Sequence, residues 1–184
     1  MSKIIKTING IKLIQTKFFP DNRGLFYEIY NKKNYNNLDI KDNFVQNSIS
    51  ISKKNVLRGL HFTIQKPQSQ MVTVLEGKIF DCLIDLRSKS KNFLKHYYFT
   101  LNKDKNNQLY MPPGFAHGFC VLSNRAILHY SASKIYNNKN SDGLIWNDKD
   151  MKINWPINKP IVSNRDKNFK DINYLIKFKK LPKI

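Results

Sequence analysis

Short segments in which apolar and polar residues alternate run through most of the chain, and glycines, prolines and asparagines separate them. Alternation with a period of two is typical of strands that bury one face, whereas the 3.6-residue period of a helix is scarce here. A short helix is expected at residues 31–38 and another near 167–178. The predicted strands lie at residues 11–19, 25–30, 45–52, 71–75, 78–86, 96–101, 108–111, 118–122 and 126–136.

Turn signals join these segments. The run from Pro20 to Gly24, the glycine at position 77 and the polar stretch 102–107 are typical of hairpin connections. Many short strands at near-regular spacing predict an all-β sandwich or closed barrel. No internal repeat or linker divides the chain, so residues 1–184 are expected to form one jelly-roll domain. It would carry an N-terminal strand arm, short peripheral helices and a C-terminal extension.

The formal net charge is +19, which raises the question of a nucleic-acid partner. The lysines are scattered along the chain, and their one tight run lies at residues 177–183. A nucleic-acid footprint is expected to cluster on one element or face and to come with a recognisable module, and no such signature is found. Nucleic acid is therefore not the predicted partner. The positive field could still attract a small ligand that carries a diphosphate.

The start of the chain and the two cysteines bear on its compartment. The sequence begins Met-Ser-Lys without the apolar segment of a signal peptide, and no stretch approaches the length of a membrane span. Cys82 and Cys120 lie in apolar runs and are interpreted as small core residues. A cytoplasmic, reduced protein without a membrane partner is expected.

Two blocks set a histidine beside glycine and apolar residues. His61 ends the run Leu57-Arg58-Gly59-Leu60, and His117 lies in Pro112-Pro113-Gly114-Phe115-Ala116-His117-Gly118-Phe119. Imidazole changes charge near neutral pH, so these blocks indicate a pocket for proton transfer. His61 is followed by Phe62-Thr63, with no His-x-His and no nearby glutamate, and a metal site is therefore not predicted.

Further blocks extend this pattern from about residue 3 to about residue 170. They lie at residues 19–28, 44–46, 56–62, 81–88, 112–119, 146–148 and 163–166. In this order they resemble the dTDP-4-dehydrorhamnose 3,5-epimerase family, whose members have a cupin-type jelly-roll fold. The resemblance implies a cofactor-independent isomerase that inverts C3 and C5 of a nucleotide-linked 4-keto-6-deoxyhexose, dTDP-linked in the family. The product would enter a surface-polysaccharide pathway such as L-rhamnose synthesis.

The chemistry explains which residue types the family needs. A 4-keto sugar has weakly acidic C–H bonds at C3 and C5, and inversion requires a base on one face and a proton donor on the other. A positive or hydrogen-bonding group is also needed at the enolate oxygen. The resemblance implies that His61 is the base, that Asp166 orients it, and that Tyr130 is the proton donor.

The resemblance also implies a set of ligand contacts. Arg58 and His117 would lie near the sugar or diphosphate, and Tyr136 would stack on the base. The remaining implied contacts are Arg23, Glu28, Gln46 and Arg165. The family is generally dimeric with its N-terminal strand region exchanged, so Arg23 and Glu28 would serve the pocket of the neighbouring subunit.

Three departures from the family pattern affect the predicted substrate. Met71 is interpreted as standing where the family has a lysine near the sugar, Ser48 replaces a ligand-binding asparagine, and Ile135 replaces the first residue of an aromatic pair. Loss of a cation at a developing oxyanion could cost about 3 kcal/mol, unless Lys66 or Arg58 compensates. The alternatives are an epimerase that acts at C3 or C5 only or on another nucleotide sugar, and a non-catalytic jelly roll that binds such sugars.

Overall fold

The protein, described over residues 2–184 in a computed structural model, is built almost entirely of short antiparallel strands. The strands are β1 (Lys3–Ile8), β2 (Ile11–Gln15), β3 (Phe18–Asp21), β4 (Gly24–Tyr27), β5 (Gln46–Lys53), β6 (Leu57–Thr63), β7 (Gln70–Glu76), β8 (Lys78–Asp85), β9 (His96–Asn102), β10 (Asn107–Met111), β11 (Phe115–Val121), β12 (Arg125–Ala132) and β13 (Ser141–Gly143). The helices are α1 (Lys32–Asn37), α2 (Asn164–Lys167) and α3 (Ile172–Lys177), with a 3₁₀ turn at Asn138–Asn140.

Two sheets pack face to face around the main core. One has the strand order β1-β2-β10-β7-β12-β5, and the other has the order β13-β6-β11-β8-β9. The core between them draws on both sheets, for example Val72 and Leu128 from the first and Leu83 and Phe119 from the second. Inward and outward residues alternate along most strands, as expected for a sandwich. The predicted all-β sandwich is confirmed.

Several predicted elements differ from the observed ones. β1 and β6 are not among the predicted strands, and β12 ends at Ala132 rather than at residue 136. Ala132 pairs with Gln46 and Gln70, the first residues of both neighbouring strands, so no partner remains for β12 to continue. The helix expected near 167–178 begins only at Ile172, because the Asp171 side chain accepts a hydrogen bond from the Tyr174 N–H and caps α3 there. A separate short helix, α2, precedes it.

An irregularity in β6 changes which of its side chains share a face. Arg58 pairs with Phe119 and His61 pairs with His117, so two residues of β6 oppose Gly118 alone. This bulge turns Arg58 and His61, three positions apart, toward the same side of the sheet. Gly59 has φ +126°, and a Cβ there would lie 2.5 Å from the Gly118 Cα, so the close approach requires glycine.

Two smaller units lie outside the sandwich. Helix α1 covers the outer face of the first sheet, where Tyr35 and Ile40 pack against Ile14, Met71 and Tyr110. The β3–β4 hairpin forms a separate two-stranded sheet, and Phe26 at its end is 70% exposed. Within the described residues, no helix combines the length and the apolar character needed to cross a membrane.

Candidate active site

A cavity of about 350 Å³ opens between the two sheets. It receives side chains from β6 and β11 on one side and from β5, β7 and β12 on the other. The segment after β12 and Arg165 of α2 form its mouth. Eight residues predicted for the site line it. These are Gln46, Ser48, Arg58, His61, His117, Tyr130, Tyr136 and Arg165.

His61 forms a hydrogen-bonded pair with Asp166 behind the cavity wall. The His61 Nε2 and Asp166 Oδ1 atoms are 2.9 Å apart, and Asp166 Oδ2 accepts a hydrogen bond from the Gly59 backbone N–H at 3.0 Å. Asp166 lies in the first turn of α2, where the Ser163 hydroxyl caps the helix by accepting a hydrogen bond from the Asp166 N–H. The Asp166 carboxylate does not cap the helix itself and faces β6. The bulge therefore turns the His61 side chain toward the cavity. Its Gly59 N–H also holds the Asp166 carboxylate in place.

The environment of Asp166 favours its ionised form. Burial raises the pKa of Asp166, but hydrogen bonds from His61 and Gly59 more than offset this, and the pKa falls below its ordinary value of 3.8. An ionised carboxylate at this distance holds a proton on Nε2 of His61. In the neutral imidazole the other ring nitrogen, Nδ1, then carries no proton and can accept one.

Tyr130 reaches the cavity from the opposite sheet. It lies on β12, paired with Ser48 of β5 and Val72 of β7, and its hydroxyl is 2.9 Å from the Ser50 Oγ. Burial raises the pKa of Tyr130 to about 12, so the phenol keeps its proton at neutral pH. A ring bound in the cavity would lie between a proton acceptor on one sheet and a proton donor on the other.

A second histidine–aspartate pair lies on the floor of the cavity. His117 Nε2 is 2.8 Å from Asp81 Oδ2, and His117 sits directly opposite His61 in the strand register. Asp81 is fully buried, and its Oδ1 has no hydrogen-bond partner among the described residues. Asp81 begins the sequence block 81–88 that resembles the family, but it is not among the predicted site residues.

A polar cluster forms the mouth of the cavity. The Gln46 Oε1 accepts a hydrogen bond from the Tyr136 backbone N–H at 2.7 Å, and the Arg165 Nη1 donates to the Tyr136 hydroxyl at 3.1 Å. Ser48 lies beside Gln46, at 3.4 Å from its Nε2. Tyr136 remains 51% exposed, so one face of its ring is open to a planar group.

Arg58 links the two sheets beside the cavity. Its Nε donates to the Ser52 Oγ at 3.0 Å, and its Nη2 lies 3.4 Å from the backbone oxygen of Ile51. Both partners belong to β5, which holds the guanidinium across the sandwich. Arg58 has no carboxylate partner among the described residues, so its charge is available to an anionic ligand.

The prediction that Met71 contacts the ligand is wrong. Met71 is 2% exposed and packs beneath α1, on the face of β7 that points away from the cavity. Successive strand residues face opposite sides, so Gln70 lines the cavity in its place. Val72 and Val74 of the core lie two and four residues after Gln70, so all three point to the same side of β7. This alternation in the sequence indicates Gln70, and not Met71, as the residue that faces the cavity.

Arg23 and Glu28 lie outside the cavity of their own chain. Arg23 forms an ion pair with Asp21 in the exposed β3–β4 hairpin, with 2.7 Å between Nη2 and Oδ2. Glu28 follows the hairpin and accepts hydrogen bonds from Asn31 and Asn34 of the α1 region. Neither residue reaches the site within one chain.

Comparisons with known proteins show which family the chain resembles. The family model for dTDP-4-dehydrorhamnose 3,5-epimerase matches residues 6–173. The chain belongs to this family. It is 38% identical to the dTDP-4-dehydrorhamnose 3,5-epimerase of Shigella flexneri over 94% of this chain and 99% of that protein.

Two solved structures of the family share the fold. The Legionella pneumophila epimerase in complex with dTDP-4-keto-L-rhamnose matches with a TM-score of 0.93 at 37% identity, over 100% of this chain and 99% of that one. The Bacillus anthracis epimerase with TDP and pyrophosphate bound matches with a TM-score of 0.90 at 37% identity, over 94% of this chain and 100% of that one. The predicted cupin-type jelly roll is confirmed.

Proposed function

We propose that the protein is an isomerase that inverts C3 and C5 of dTDP-4-dehydro-6-deoxy-D-glucose to give dTDP-4-dehydro-L-rhamnose. Family membership over nearly the full chain supports this activity. The single observation that carries it is the cavity between the sheets, with the His61–Asp166 pair on one side and the Tyr130 phenol on the other. The reaction needs these two groups on opposite faces of the sugar ring.

In the proposed mechanism His61 removes the C–H proton. Asp166 keeps the proton on Nε2, and Nδ1 takes the proton from carbon as the C–H electron pair moves into the carbonyl system. The product of this step is an enolate with negative charge on the C4 oxygen. Because Asp166 stays ionised, it also stabilises the imidazolium that forms.

Tyr130 then donates its proton to the same carbon from the opposite face. The new C–H bond forms with inverted configuration. The Tyr130 phenolate then takes a proton from solvent and the His61 imidazolium releases one to solvent, so both groups return to their starting states. The hydrogen bond of Tyr130 with Ser50, in which either oxygen can donate, supports this role because it fixes the position of the phenol oxygen. The sequence of two steps is repeated at the second carbon on the other side of the carbonyl.

We assign the enolate oxygen and the nucleotide to different parts of the cavity. Arg58, His117 and Gln70 provide hydrogen-bond donors to the sugar region, where charge develops. The cluster of Gln46, Ser48, Tyr136 and Arg165 at the mouth would bind the nucleotide, with the Tyr136 ring stacked on the base. An arginine suits the diphosphate because its planar donors match phosphate oxygens.

We further propose that the protein acts as a homodimer in which the β3–β4 hairpin crosses to the partner. Phe18, Phe19, Leu25 and Phe26 are each at least 42% exposed, and among residues 2–184 none of the core clusters includes them. Contiguous exposed apolar surface of this kind marks an interaction site. In a dimer, the hairpin would bring Arg23 and Glu28 to the nucleotide of the neighbouring cavity.

We also propose that the protein is cytoplasmic and requires no cofactor. Cys82 and Cys120 are buried and unpaired, which suits a reducing cytoplasm. The proposed chemistry uses only side chains of this protein, without a metal or cofactor. Its partner is the nucleotide sugar rather than nucleic acid or membrane.

Proton NMR in D₂O tests the function. With dTDP-4-dehydro-6-deoxy-D-glucose as substrate, the proposal expects deuterium at both C3 and C5 and formation of the L-rhamno product. Deuterium at only one carbon would indicate the narrower, single-centre epimerase. Binding of the nucleotide sugar without any exchange would indicate a non-catalytic jelly roll, and either result would contradict the proposal.

A further inference from the structure

A second cavity, of about 770 Å³, lies away from the candidate active site and shares no lining residue with it. The loop between β8 and β9, the β1–β2 turn and the C-terminal segment 176–184 enclose it. Its volume falls within the range typical of small-molecule sites. The function proposed above makes no use of it.

Four lysines surround this cavity without an acidic partner. Lys89 and Lys91 come from the β8–β9 loop, and Lys179 and Lys183 come from the C-terminal segment. In the described part of the chain, none of the four forms an ion pair, and no aspartate or glutamate lines the cavity. Like charges gathered around one concave surface raise the local concentration of an anion.

The β8–β9 loop holds its position through a buried anchor. The fully buried Asp85 binds the Arg87 guanidinium with both carboxylate oxygens at 2.8 Å and accepts further hydrogen bonds from Ser90 and Asn9. Asp85 thereby compensates the charge of Arg87 and ties the loop to the β1–β2 turn. The two loop lysines, at positions 89 and 91, therefore project from a fixed support.

The rest of the lining contains hydrogen-bond donors and an apolar wall. Among the described residues, the backbone N–H groups of Ser88 and Lys89 donate to no protein acceptor. Ile176, Leu181 and Ile184 from the C-terminal segment form the apolar side of the cavity. Such a surface suits a ligand with an anionic end and a less polar body.

We propose that this cavity binds a small phosphorylated molecule with two or more negative charges, of the pyrophosphate or nucleoside-diphosphate class. Lysine binds phosphate as a point charge and does not require a planar, paired geometry. Four uncompensated ammonium groups favour a compact polyanion over a singly charged carboxylate. The apolar wall would favour a ligand with an organic group over inorganic pyrophosphate.

Titration followed by ¹H–¹⁵N NMR tests the site, with inorganic pyrophosphate and ADP as probes at about 0.15 M NaCl, where surface charges are screened as in the cell. The expected result is saturable shifts at residues 88–92 and 179–183, separate from any shifts at residues of the active-site cavity. Lys89→Gln/Lys91→Gln and Lys179→Gln/Lys183→Gln should each weaken this binding by about tenfold or more. All four lysines are exposed, so these variants are expected to fold normally.

A matched control variant distinguishes binding at this cavity from general electrostatic attraction to a positively charged protein. Lys103→Gln/Lys105→Gln removes two exposed lysines from the β9–β10 turn, away from the cavity, and should leave the affinity unchanged. The proposal would be overturned if the two segments show no saturable shifts. It would also be overturned if the control variant weakens binding as much as the cavity variants do.

Discussion

The carboxylate that orients the proposed base and the phenol proposed as the acid have environments that shift their pKa values in opposite directions. The hydrogen bonds of Asp166 hold its pKa below 3.8, whereas burial raises the pKa of Tyr130 to about 12. Asp166 therefore stays ionised and Tyr130 stays protonated throughout the neutral range. The site therefore provides a carboxylate that orients the base, His61, and a phenol that keeps its proton to donate.

The raised pKa of Tyr130 predicts that its phenolate absorbance in the ultraviolet appears only at high pH. An ordinary phenol ionises at 10.0, so between about pH 9 and 11 an exposed tyrosine would gain most of its phenolate absorbance. The difference in absorbance near 295 nm between the native protein and Tyr130→Phe should stay close to zero up to about pH 11. A difference that develops with a midpoint near 10 would show that the hydroxyl is not buried.

Gln70 and Met71 face opposite sides of β7, so a lysine substituted at each position should have a different effect. Gln70→Lys places a cation in the cavity near the developing enolate, and kcat should rise by about tenfold or more. Met71→Lys places the same charge in the apolar cluster under α1 and should destabilise the fold by about 3 kcal/mol. Steady-state kinetics and denaturant unfolding of both variants test this pair. A rise in kcat for Met71→Lys alone would contradict the observed orientation of β7.

Individual residues of the site are predictable to different degrees from the sequence. His61 and Asp166 lie in blocks that resemble the family, and the resemblance also implies a role for Tyr130. In the structure His61 and Tyr130 line one cavity, and Asp166 contacts His61 from behind its wall. The prediction for Met71 falls one position away from the residue that faces the cavity, although the alternation with Val72 indicates Gln70. Asp81 begins the block 81–88, but no role is predicted for it, because its contact with His117 is a hydrogen bond between two strands.

The bulge in β6 is the element on which the geometry of the site depends. It requires glycine at position 59 for two reasons, a positive φ and a close approach to Gly118. Gly24, in the β3–β4 turn, has a similar φ of +132°, but a Cβ added there would have no atom within 4 Å, so it provides a matched control. Substitutions at the two glycines therefore distinguish the cost of a positive φ from the cost of a steric conflict.

Alanine substitutions at these glycines should therefore differ. Gly24→Ala is expected to cost about 1–3 kcal/mol from its backbone conformation alone. Gly59→Ala carries the same cost and about 2 kcal/mol more from overpacking, and its activity should fall because His61 and the Asp166 contact shift. Urea unfolding and kcat measurements provide the comparison. Equal losses of stability in the two variants would argue against a tight contact between β6 and β11.

Most strands are predictable because alternation is a local signal. β6 is not predicted as a strand, since its bulge interrupts the alternation and its glycine resembles a turn residue. The predicted end of β12 is also wrong, because the observed end depends on where β5 and β7 begin. Both errors come from pairing between distant segments, which no short window of sequence contains.

The proposed exchange of the hairpin between subunits predicts complementation. Arg23→Ala should damage the partner's nucleotide site, and His61→Asn should damage the site of its own chain. If two such inactive variants are unfolded and refolded together, each mixed dimer contains one site with both residues intact. About a quarter of native activity should then return. The absence of any recovery, with mixed dimers verified by mass, would contradict the exchange.

The opposed positions of His61 and Tyr130 can be tested by separating proton removal from inversion. In D₂O with dTDP-4-dehydro-6-deoxy-D-glucose, Tyr130→Phe should still exchange substrate protons for deuterium but should form little inverted product, because the base remains and the opposing donor is lost. His61→Asn should show neither exchange nor inversion. Exchange at the native rate in His61→Asn would contradict the assignment of this imidazole as the base.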